Sequence, residues 1–519
     1  MTNGTTRAFS GGPILTMDPA AAAPQAVIVQ DGRIVAVGER ALLARYPDAA
    51  VEDLAGRTLL PGFIDAHNHL SIAALHPRWA DLSGVTNLDE LRQALAKQAA
   101  REAEARWVRG VGWTETVAGV LPDRHALDAL AVDRPVIVVH FSLHQCVVNS
   151  QGLDELEIGR HTPDPPGGMI VRDGQGNPTG LLVERAWSEA HARSLADYRD
   201  PDRWADLIAT RCRVLIRDGI TCVHDAACAP AAEMVYQRMR QARALPMSVL
   251  MMPHAEAILT NALSSRLEGP LTGAGDEQLR VGPMKFFADG GIAPAVDAMV
   301  AGQRFTHGVT FDDLAGHLVR AVSQGFRVAV HAMGNLGLTR ALEAFAAAAR
   351  VRRDADHRFR VEHATLASPA QATAMTALGA VGVVQPGFLS HMGQLVEGVT
   401  FDREIWLPFG ELARAGVRLA GSSDDPCGMY EPLRACAHGT TRRTGSGHVL
   451  GPEQALGYEE WLRAYTAGAA HAGGQENERG TLSPGKRADF TVLEGRLDPL
   501  CPPRVAQTWI AGELVYAGD

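Results

Sequence analysis

The sequence lacks paired cysteines, a long apolar run and an excess of basic residues. Its seven cysteines are scattered and form no CxxC pair, which argues against a thiolate zinc site and is typical of a reducing cytosol. No apolar stretch approaches the roughly 18 residues of a membrane-spanning helix, and the amino terminus has neither the basic start nor the apolar core of a signal peptide. We therefore expect a cytoplasmic protein that does not act at a membrane.

The charge balance argues against nucleic acid as a partner. Acidic residues outnumber basic ones by 59 to 49, which gives a net charge of −10. A small-molecule substrate is the expected partner, and homo-oligomerisation is compatible with this composition. The 519 residues are too many for one core, so more than one domain is expected.

Short apolar segments that end in polar or glycine-containing tips recur along the chain. Continuous runs of Val, Ile and Leu are what strands buried on both faces require, and their spacing fits βα units. There are eight such segments: 59–69, 219–226, 245–253, 281–290, 326–334, 359–366, 380–387 and 416–426. The pattern predicts an α/β fold in which eight strands and their helices form a (β/α)₈ TIM-like barrel. One helix, after a capping-box sequence at 310–313, is expected to end at Gly325.

Both ends of the chain, and one long gap, stand apart from this repeat. Alternating apolar runs flank Asp31-Gly32 and Ala511-Gly512, which are hairpin signals. We expect residues 1–60 and 475–519 to form one small β-sandwich domain, with the hydrolase barrel over 61–474. The gap of about 70–218 is too long for one crossover and predicts a large insertion after the first barrel strand.

Histidines and one aspartate stand at the ends of several predicted strands. His67 and His69 share one face of the first strand, and His331, His363 and Asp424 close three later ones. Catalytic groups of barrel enzymes lie at this end, and nitrogen and oxygen ligands of this kind suit zinc. The alternatives are surface histidines on a loop for the first pair and hydrogen-bonded core histidines for the other two.

A lysine lies inside the fourth apolar segment. Burying the Lys285 ammonium costs several kcal/mol unless it is paired or neutralised, so this lysine requires a chemical reason. A protonated amine has no lone pair and cannot bind a cation as it stands. The alternatives are an ion pair with Asp289 or an ammonium that extends to the rim.

Taken together, these motifs resemble the amidohydrolase superfamily, and more narrowly the family 3 branch that includes N-substituted formamide deformylases. The resemblance covers essentially the whole chain. It rests on the phrases LLPGFIDAHNH, GWTET (112–116), HQCVVNS, GGMIVRDGQGNPTGLLVE, GITCVHDA, MKFFADGG, VHAMGN, RVEHA, VVQP, GSSDDP and LSPGKRADF.

The resemblance implies a role for each candidate ligand. His67 and His69 are similar to ligands of a more buried metal, and His331 and His363 to ligands of a more exposed one. In similar proteins, the lysine at the position of Lys285 reacts with CO₂ to give a carbamate that bridges two metals. The sixth residue, Asp424, resembles a further ligand that also shuttles the proton. One or two divalent ions, with zinc preferred, are thus implied.

The implied activity is hydrolysis of a linear amide C–N bond, as in an N-substituted formamide or an N-acyl amine. Deamination of a ring amidine and hydrolysis of a cyclic amide are the alternatives within enzymes, and a non-catalytic assembly protein on the same barrel is a third. His144 and His224 are candidates for holding the carbonyl oxygen, and Trp113 for a pocket wall, although all three could be plain packing residues.

The chain departs from the family pattern at two positions. Asn335 stands where relatives commonly carry Asp after the fifth-strand Gly, and Thr114 follows Trp113 where relatives tend to carry Asp. Both lie outside the ligand set.

Overall fold

The computed structural model describes residues 6–20, 23–114, 122–130, 132–353 and 356–518, with the side chains of residues 264 and 265 left out. Within these residues, strands and helices alternate through most of the chain. None of the described helices combines the length and the apolar composition that a membrane-spanning segment needs.

Nine parallel strands form the centre of the molecule. They fall into two sheets. The first has the spatial order Leu279–Val281, Ser248–Pro253, Ile220–Cys228, Phe63–Asn68, and the second has Met284–Phe287, Val328–Ala332, Arg360–His363, Val381–Val384, Arg418–Gly421. Each of the eight predicted segments overlaps one of these strands, and the short strand Leu279–Val281 was not predicted. The α/β prediction is confirmed; a single closed barrel is not established, because the strands are assigned to two sheets.

The two parallel sheets meet at both edges. On one side, Asn68 forms an isolated parallel bridge with Asp425, and the Asp424 N–H donates to the His67 carbonyl at 2.8 Å. On the other side, only Gly282 and Pro283 separate the strand Leu279–Val281 of the first sheet from the strand Met284–Phe287 of the second, and the Gly282 N–H donates to the Met251 carbonyl at 2.6 Å. The contacts on the first side bring the carboxyl ends of the strands Phe63–Asn68 and Arg418–Gly421 together.

Helices connect the parallel strands. The main ones are Pro201–Arg217, Pro230–Gln241, Leu314–Ser323, Asn335–Ala349, Pro369–Ala377, Phe409–Arg414, Pro432–Thr441, Tyr458–Arg463 and Ala469–Gly473. The helix from Pro369 begins with a capping box between Ser368 and Gln371. The capping box predicted at 310–313 is wrong: the helix Leu314–Ser323 is present, but the Asp313 carboxylate accepts hydrogen bonds from Arg185 and Asn261.

The segment between the first two parallel strands forms a separate sheet of six strands, here called the inserted sheet. Its spatial order is Gly168–Arg172, Pro178–Glu184, Gln145–Val148, Val136–His140, Val108–Trp113, Ala80–Asp81, and its helices are Leu70–Ala73, Leu88–Arg101, Arg124–Asp128, Ser150–Glu155 and Arg185–Leu195. Leu91 and Leu95 of the helix from Leu88 pack with Trp113 and Val138 in an apolar core. The helix begins at Asn87, whose side chain accepts from two backbone N–H groups of the first turn.

Both chain termini contribute four-stranded sheets. One has the order Arg33–Gly38, Ala26–Gln30, Arg7–Ser10, Ala50–Asp53, and the other has Glu513–Ala517, Arg504–Ile510, Phe490–Glu494, Thr58–Pro61. Phe9 packs edge-on against Phe490 and Trp509, with ring centroids 5.1 and 5.0 Å away, so side chains of both sheets share one core. The predicted turn at Asp31-Gly32 has positive φ at both residues.

Smaller elements complete the described chain. A hairpin of Val296–Val300 and Gln303–His307 and a short pair of Leu366–Ala367 and Ile405–Trp406 lie beside the carboxyl ends of the second parallel sheet. Short helical segments occur at Arg40–Arg45, His76–Arg78, Ala196–Tyr198, Ser264–Glu268, Phe388–His391, Gly393–Val396, Pro452–Gln454 and Ala464–Gly468.

Candidate metal centre

Five of the predicted ligands lie at the carboxyl ends of parallel strands. His67 is the penultimate residue of its strand, and His69 follows that strand directly. His331 is the penultimate residue of its strand, and His363 is the last of the next. His363 and Asp424 have φ values of 77° and 61°, a left-handed backbone that non-glycine residues adopt at a cost and that often marks functional positions.

The side chains of these residues converge. The Asp424 Oδ1 lies 3.1 Å from His69 Nε2 and 3.3 Å from His67 Nε2. One ligand atom each from His67, His363 and Asp424 fall within 4.8 Å of one another. The ring of His331 lies 4.6 Å from that of His363, between centroids. The strand ends therefore bring four imidazoles and one carboxylate to one place.

The sixth predicted ligand, Lys285, is buried beside them. Its side chain is only 1% exposed, and its Nζ lies 4.9 Å from the centre of the Phe287 ring. Burial lowers the pKa of this lysine to about 8. Within the described residues it forms no ion pair with Asp289, whose carboxylate accepts the backbone N–H groups of Met333, Gly334 and Ala295. The ion-pair alternative for Lys285 therefore has no support in the structure.

Histidine nitrogen atoms at this site can bind a cation. The Nε2 atoms of His67 and His331 are buried and have no hydrogen-bond partner within the described part of the chain. Burial holds the pKa of His331 well below its ordinary value and lowers that of His363 to about 3, so both rings are neutral at pH 7. Neutral imidazole is the form that binds metals. The residues present therefore fit a divalent cation.

The carboxylate at the centre is held in its charged form. Burial alone would raise the pKa of Asp424, but its close contacts with His67 and His69 bring it well below the usual range. The same contact with Asp424 raises the pKa of His69 against the opposing effect of burial. An ionised carboxylate beside the neutral imidazoles of His331 and His363 is a ligand set that zinc accepts.

A second layer of polar groups orients these ligands, and sequence reasoning missed it. Glu362 Oε2 lies 2.5 Å from His67 Nδ1, and Arg360 Nε donates to Glu362 Oε1 at 2.8 Å. The His69 Nδ1 lies 2.9 Å from a backbone carbonyl, and the His363 Nδ1 lies 3.0 Å from the Gln385 side chain. A signal existed: Arg360 and Glu362 are charged residues two apart inside an apolar strand, and so share a buried face.

The site opens into one large cavity, here called the central cavity. Its volume is about 950 Å³. All six predicted ligands line it together with His144, and Thr114 also reaches its wall. Its apolar lining includes Ile72, Trp187, Ile258, Phe287, Met333 and Phe388.

Two predicted substrate residues do not line the central cavity. Trp113 is buried in the core of the inserted sheet, with its ring 5.5 Å from that of His140, while its neighbours Gly112 and Thr114 reach the cavity. His224 is fully buried between Gln475 and Arg360, at 3.2 and 3.1 Å. Packing therefore accounts for both residues. Residues 115 and 116 of the GWTET phrase lie outside the described residues.

Asn335, the other departure from the family pattern, bonds to the backbone of a neighbouring hairpin. Its side chain accepts the Asp297 N–H at 3.0 Å and donates to the Asp297 carbonyl at 2.8 Å. It thereby fastens the hairpin at 296–307 to the start of the helix from Asn335. Asn335 itself is not among the residues that line the central cavity.

Comparison with known proteins places this geometry in context. A sequence model of the amidohydrolase family matches residues 50–516. The chain is 34% identical to the N-substituted formamide deformylase of Arthrobacter pascens, over 97% of both proteins. It is 29% identical to the putative amidohydrolase YtcJ of Bacillus subtilis, over 98% of this chain and 99% of that protein.

Solved structures resemble the fold. The crystal structure of an uncharacterised metal-dependent hydrolase from Pyrococcus horikoshii aligns with a TM-score of 0.75 at 24% identity, covering 96% of this chain and 98% of that one. That of an uncharacterised metal-dependent hydrolase from Pyrococcus furiosus aligns with a TM-score of 0.72, also at 24% identity, over 96% of this chain and 100% of that one. At this level of identity the likeness supports an α/β fold of TIM type.

Proposed function

Because the chain belongs to the amidohydrolase family, we propose that it hydrolyses the C–N bond of a linear amide, of the N-substituted formamide or N-acyl amine type. The observation that carries this proposal is the convergence of His67, His331, His363 and Asp424 on the floor of one cavity, with two buried imidazole nitrogens left without hydrogen-bond partners among the described residues. The similarity to a formamide deformylase over nearly the whole chain supports the substrate class.

The residues that would hold metal are the six that line the cavity floor: His67, His69, Lys285, His331, His363 and Asp424. We propose zinc, as one or two ions, because imidazole nitrogen and carboxylate oxygen are ligands it accepts. A divalent ion held there would activate water and polarise the scissile carbonyl. Lys285 would become an anionic oxygen ligand for these ions if its neutral Nζ attacks CO₂ and loses a proton to form a carbamate.

We assign the proton transfer during hydrolysis to Asp424. As water adds to the carbonyl carbon, this carboxylate would accept one of its protons and then deliver it to the departing nitrogen. The nitrogen leaves poorly unless it is protonated, so one group serves as base and then as acid. The products are a carboxylic acid and an amine, and the elements of water balance the reaction.

The walls of the central cavity favour an uncharged, apolar substituent on the substrate. Among the described residues that line the cavity, only two are lysine, arginine, aspartate or glutamate. These are Lys285 and Asp424, both on the cavity floor. The described walls thus offer no arginine or lysine that could bind a carboxylate on the substituent. An N-acyl amino acid therefore fits the cavity less well than a neutral amide.

We further propose that the two parallel sheets close into one eight-stranded barrel, which carries the site at its carboxyl end. The Asn68–Asp425 bridge at one junction, and the short passage from the strand Leu279–Val281 to the strand Met284–Phe287 at the other, support closure. The domain limits of 1–60 with 475–519, and 61–474 with an insertion at about 70–218, remain proposals. The two terminal sheets and the inserted sheet support them.

The proposal predicts the products and one essential residue. Zinc-loaded protein should convert a panel of N-substituted formamides and N-acyl amines to acid and amine, and Asp424→Asn should lower kcat on the order of 10²- to 10⁴-fold. The exposed Asp312→Asn serves as the matched control and should retain activity. Ammonia release from a heterocycle, or turnover by Asp424→Asn at the wild-type rate, would contradict the assignment.

A further inference from the structure

A histidine–glutamate pair from the inserted sheet faces the metal centre. His144 precedes the strand Gln145–Val148 and lines the central cavity, with its ring 5.4 Å from the His331 ring. The buried Glu184 places Oε2 2.7 Å from His144 Nδ1. An imidazole from outside the ligand set thus lies beside one of the predicted ligands.

Both carboxylate oxygens of Glu184 have hydrogen-bond partners. Its other oxygen, Oε1, accepts the backbone N–H groups of Ile292 and Ala293 at 2.9 and 2.8 Å. The backbone of Glu184 has φ 51° and ψ −122°, a conformation that is costly for a non-glycine residue. Such strain persists only where the surroundings determine the conformation, so the position of this carboxylate is well defined.

Two consecutive glycines allow the pair to approach the main fold. A Cβ on Gly290 would lie 2.2 Å from the Glu184 carboxyl carbon, and a Cβ on Gly291 would lie 2.4 Å from the His144 ring. No other residue type would fit at either position without displacing the pair. The second half of the MKFFADGG phrase is therefore explained by the approach of His144 and Glu184.

The contacts at Nδ1 determine the tautomer of His144. The Gly291 N–H lies 3.0 Å from Nδ1, but Nδ1 cannot both accept this hydrogen and donate one to Glu184. The carboxylate is charged and closer, so it takes the Nδ1 proton. In the neutral ring, Nε2 then carries a lone pair and acts as an acceptor. Within the described residues, no donor to this nitrogen is found.

We propose that His144 Nε2 accepts a hydrogen bond from the N–H of a secondary amide substrate, and that Glu184 is the positioning residue that fixes this tautomer. The inference rests on the amide hydrolysis proposed above. It makes His144 a specificity-determining residue: an N-monosubstituted amide satisfies the lone pair, whereas an N,N-disubstituted amide leaves it unpaired. Sites that hydrogen-bond a substrate N–H discriminate against analogues that lack it.

The test compares one secondary formamide with its N-methyl derivative on four proteins. For the zinc-loaded wild type, kcat/KM should favour the secondary amide. In His144→Phe, which retains a ring but no acceptor, the ratio of the two kcat/KM values should fall by roughly 10- to 100-fold. The exposed His125→Phe, in the same inserted region, should keep the wild-type ratio. Taking the ratio cancels differences in intrinsic reactivity between the substrates.

Glu184→Gln tests the positioning role separately. The glutamine oxygen should keep accepting the N–H groups of Ile292 and Ala293, so the glutamine NH₂ group faces His144 Nδ1. Nδ1 must then accept a hydrogen bond, and the ring proton moves to Nε2. The ratio should then fall as in His144→Phe, although the shape of the side chain is kept. A merely structural role for Glu184 would leave the ratio unchanged. Zinc content and the melting temperature, measured in parallel, should match those of the wild type.

The outcomes separate the two proposals. If the wild type turns over neither substrate, the proposed function is overturned and this inference with it. If the wild type is active but His144→Phe lowers kcat/KM equally for both substrates, His144 acts on the carbonyl and the inference alone is overturned. A ratio that falls in His144→Phe but not in Glu184→Gln would overturn the assigned tautomer.

Discussion

His67 is oriented by a buried pair of charged residues from a neighbouring strand. Arg360 and Glu362 are both fully buried, and the guanidinium contacts both oxygens of the carboxylate, at 2.8 and 3.1 Å. Arg360 and the contact with His67 hold the pKa of Glu362 well below its usual value, although burial opposes this. The charged carboxylate therefore fixes a proton on His67 Nδ1 and directs Nε2 toward the predicted metal.

Glu362→Gln should weaken metal binding more than it weakens the fold. The amide retains the size of the side chain but loses the charge that orients His67, and the loss of such outer contacts typically costs about 10- to 100-fold in metal affinity. Zinc affinity, measured by competition with a chelator, should fall by this amount. The exposed Glu343→Gln is the matched control. Equal zinc affinity in both variants would show that Glu362 does not orient a ligand.

At the scale of single elements, the start of the helix Asn335–Ala349 packs against the Asp289 side chain. The carboxylate of Asp289 accepts the N–H groups of Met333 and Gly334, just after the strand that carries His331. A Cβ on Gly337, in the first turn of this helix, would lie 2.3 Å from the Asp289 carboxyl carbon. The helix, this carboxylate and the position of His331 are therefore coupled through a close contact that requires glycine.

Two glycine-to-alanine substitutions in helices should act in opposite directions. Gly316 is exposed in the helix Leu314–Ser323, and a Cβ added there would meet no described atom within 4 Å, so Gly316→Ala should stabilise the protein by about 0.5–1 kcal/mol. Gly337→Ala should destabilise it by about 1–3 kcal/mol, because the added methyl group displaces Asp289. Denaturant unfolding measures both changes. Stabilisation by Gly337→Ala would contradict the close packing.

The strands could be predicted from the sequence because both of their faces are buried. Continuous apolar runs then mark each strand directly, and the polar residue that ends the run marks the site. The orientation of individual side chains could not be predicted in the same way. In the strand Val108–Trp113, alternate residues point to opposite faces, and the sequence does not reveal that Gly112 and not Trp113 faces the cavity. A charged residue inside an apolar strand, such as Glu362, does indicate a buried polar contact, but the sequence does not say with which residue.

At the scale of the whole molecule, three separate sheets build one cavity. The parallel sheets provide the predicted ligands, while the inserted sheet provides His144 and the helix after it provides Trp187. The hairpin Val296–Val300 with Gln303–His307 contributes further wall residues, including Phe305. The sequence predicted a large insertion at about 70–218, but its contacts depend on long-range packing that local patterns do not encode.

The predicted ligands come from both parallel sheets, so bound metal should stabilise the molecule as a whole. His67 lies on the first parallel sheet, and Lys285, His331 and His363 lie on the second. Metal that binds only the folded state adds about 2.7 kcal/mol of stability when its free concentration is 100 times Kd. Chelation should therefore lower the melting temperature, and added zinc should restore it. His363→Ala, which removes one ligand, should show a smaller response to chelation than the wild type, because its metal is already bound less tightly. Should the variant and the wild type respond equally, or should chelation leave the wild-type melting temperature unchanged, the sheets are not joined by metal at this site.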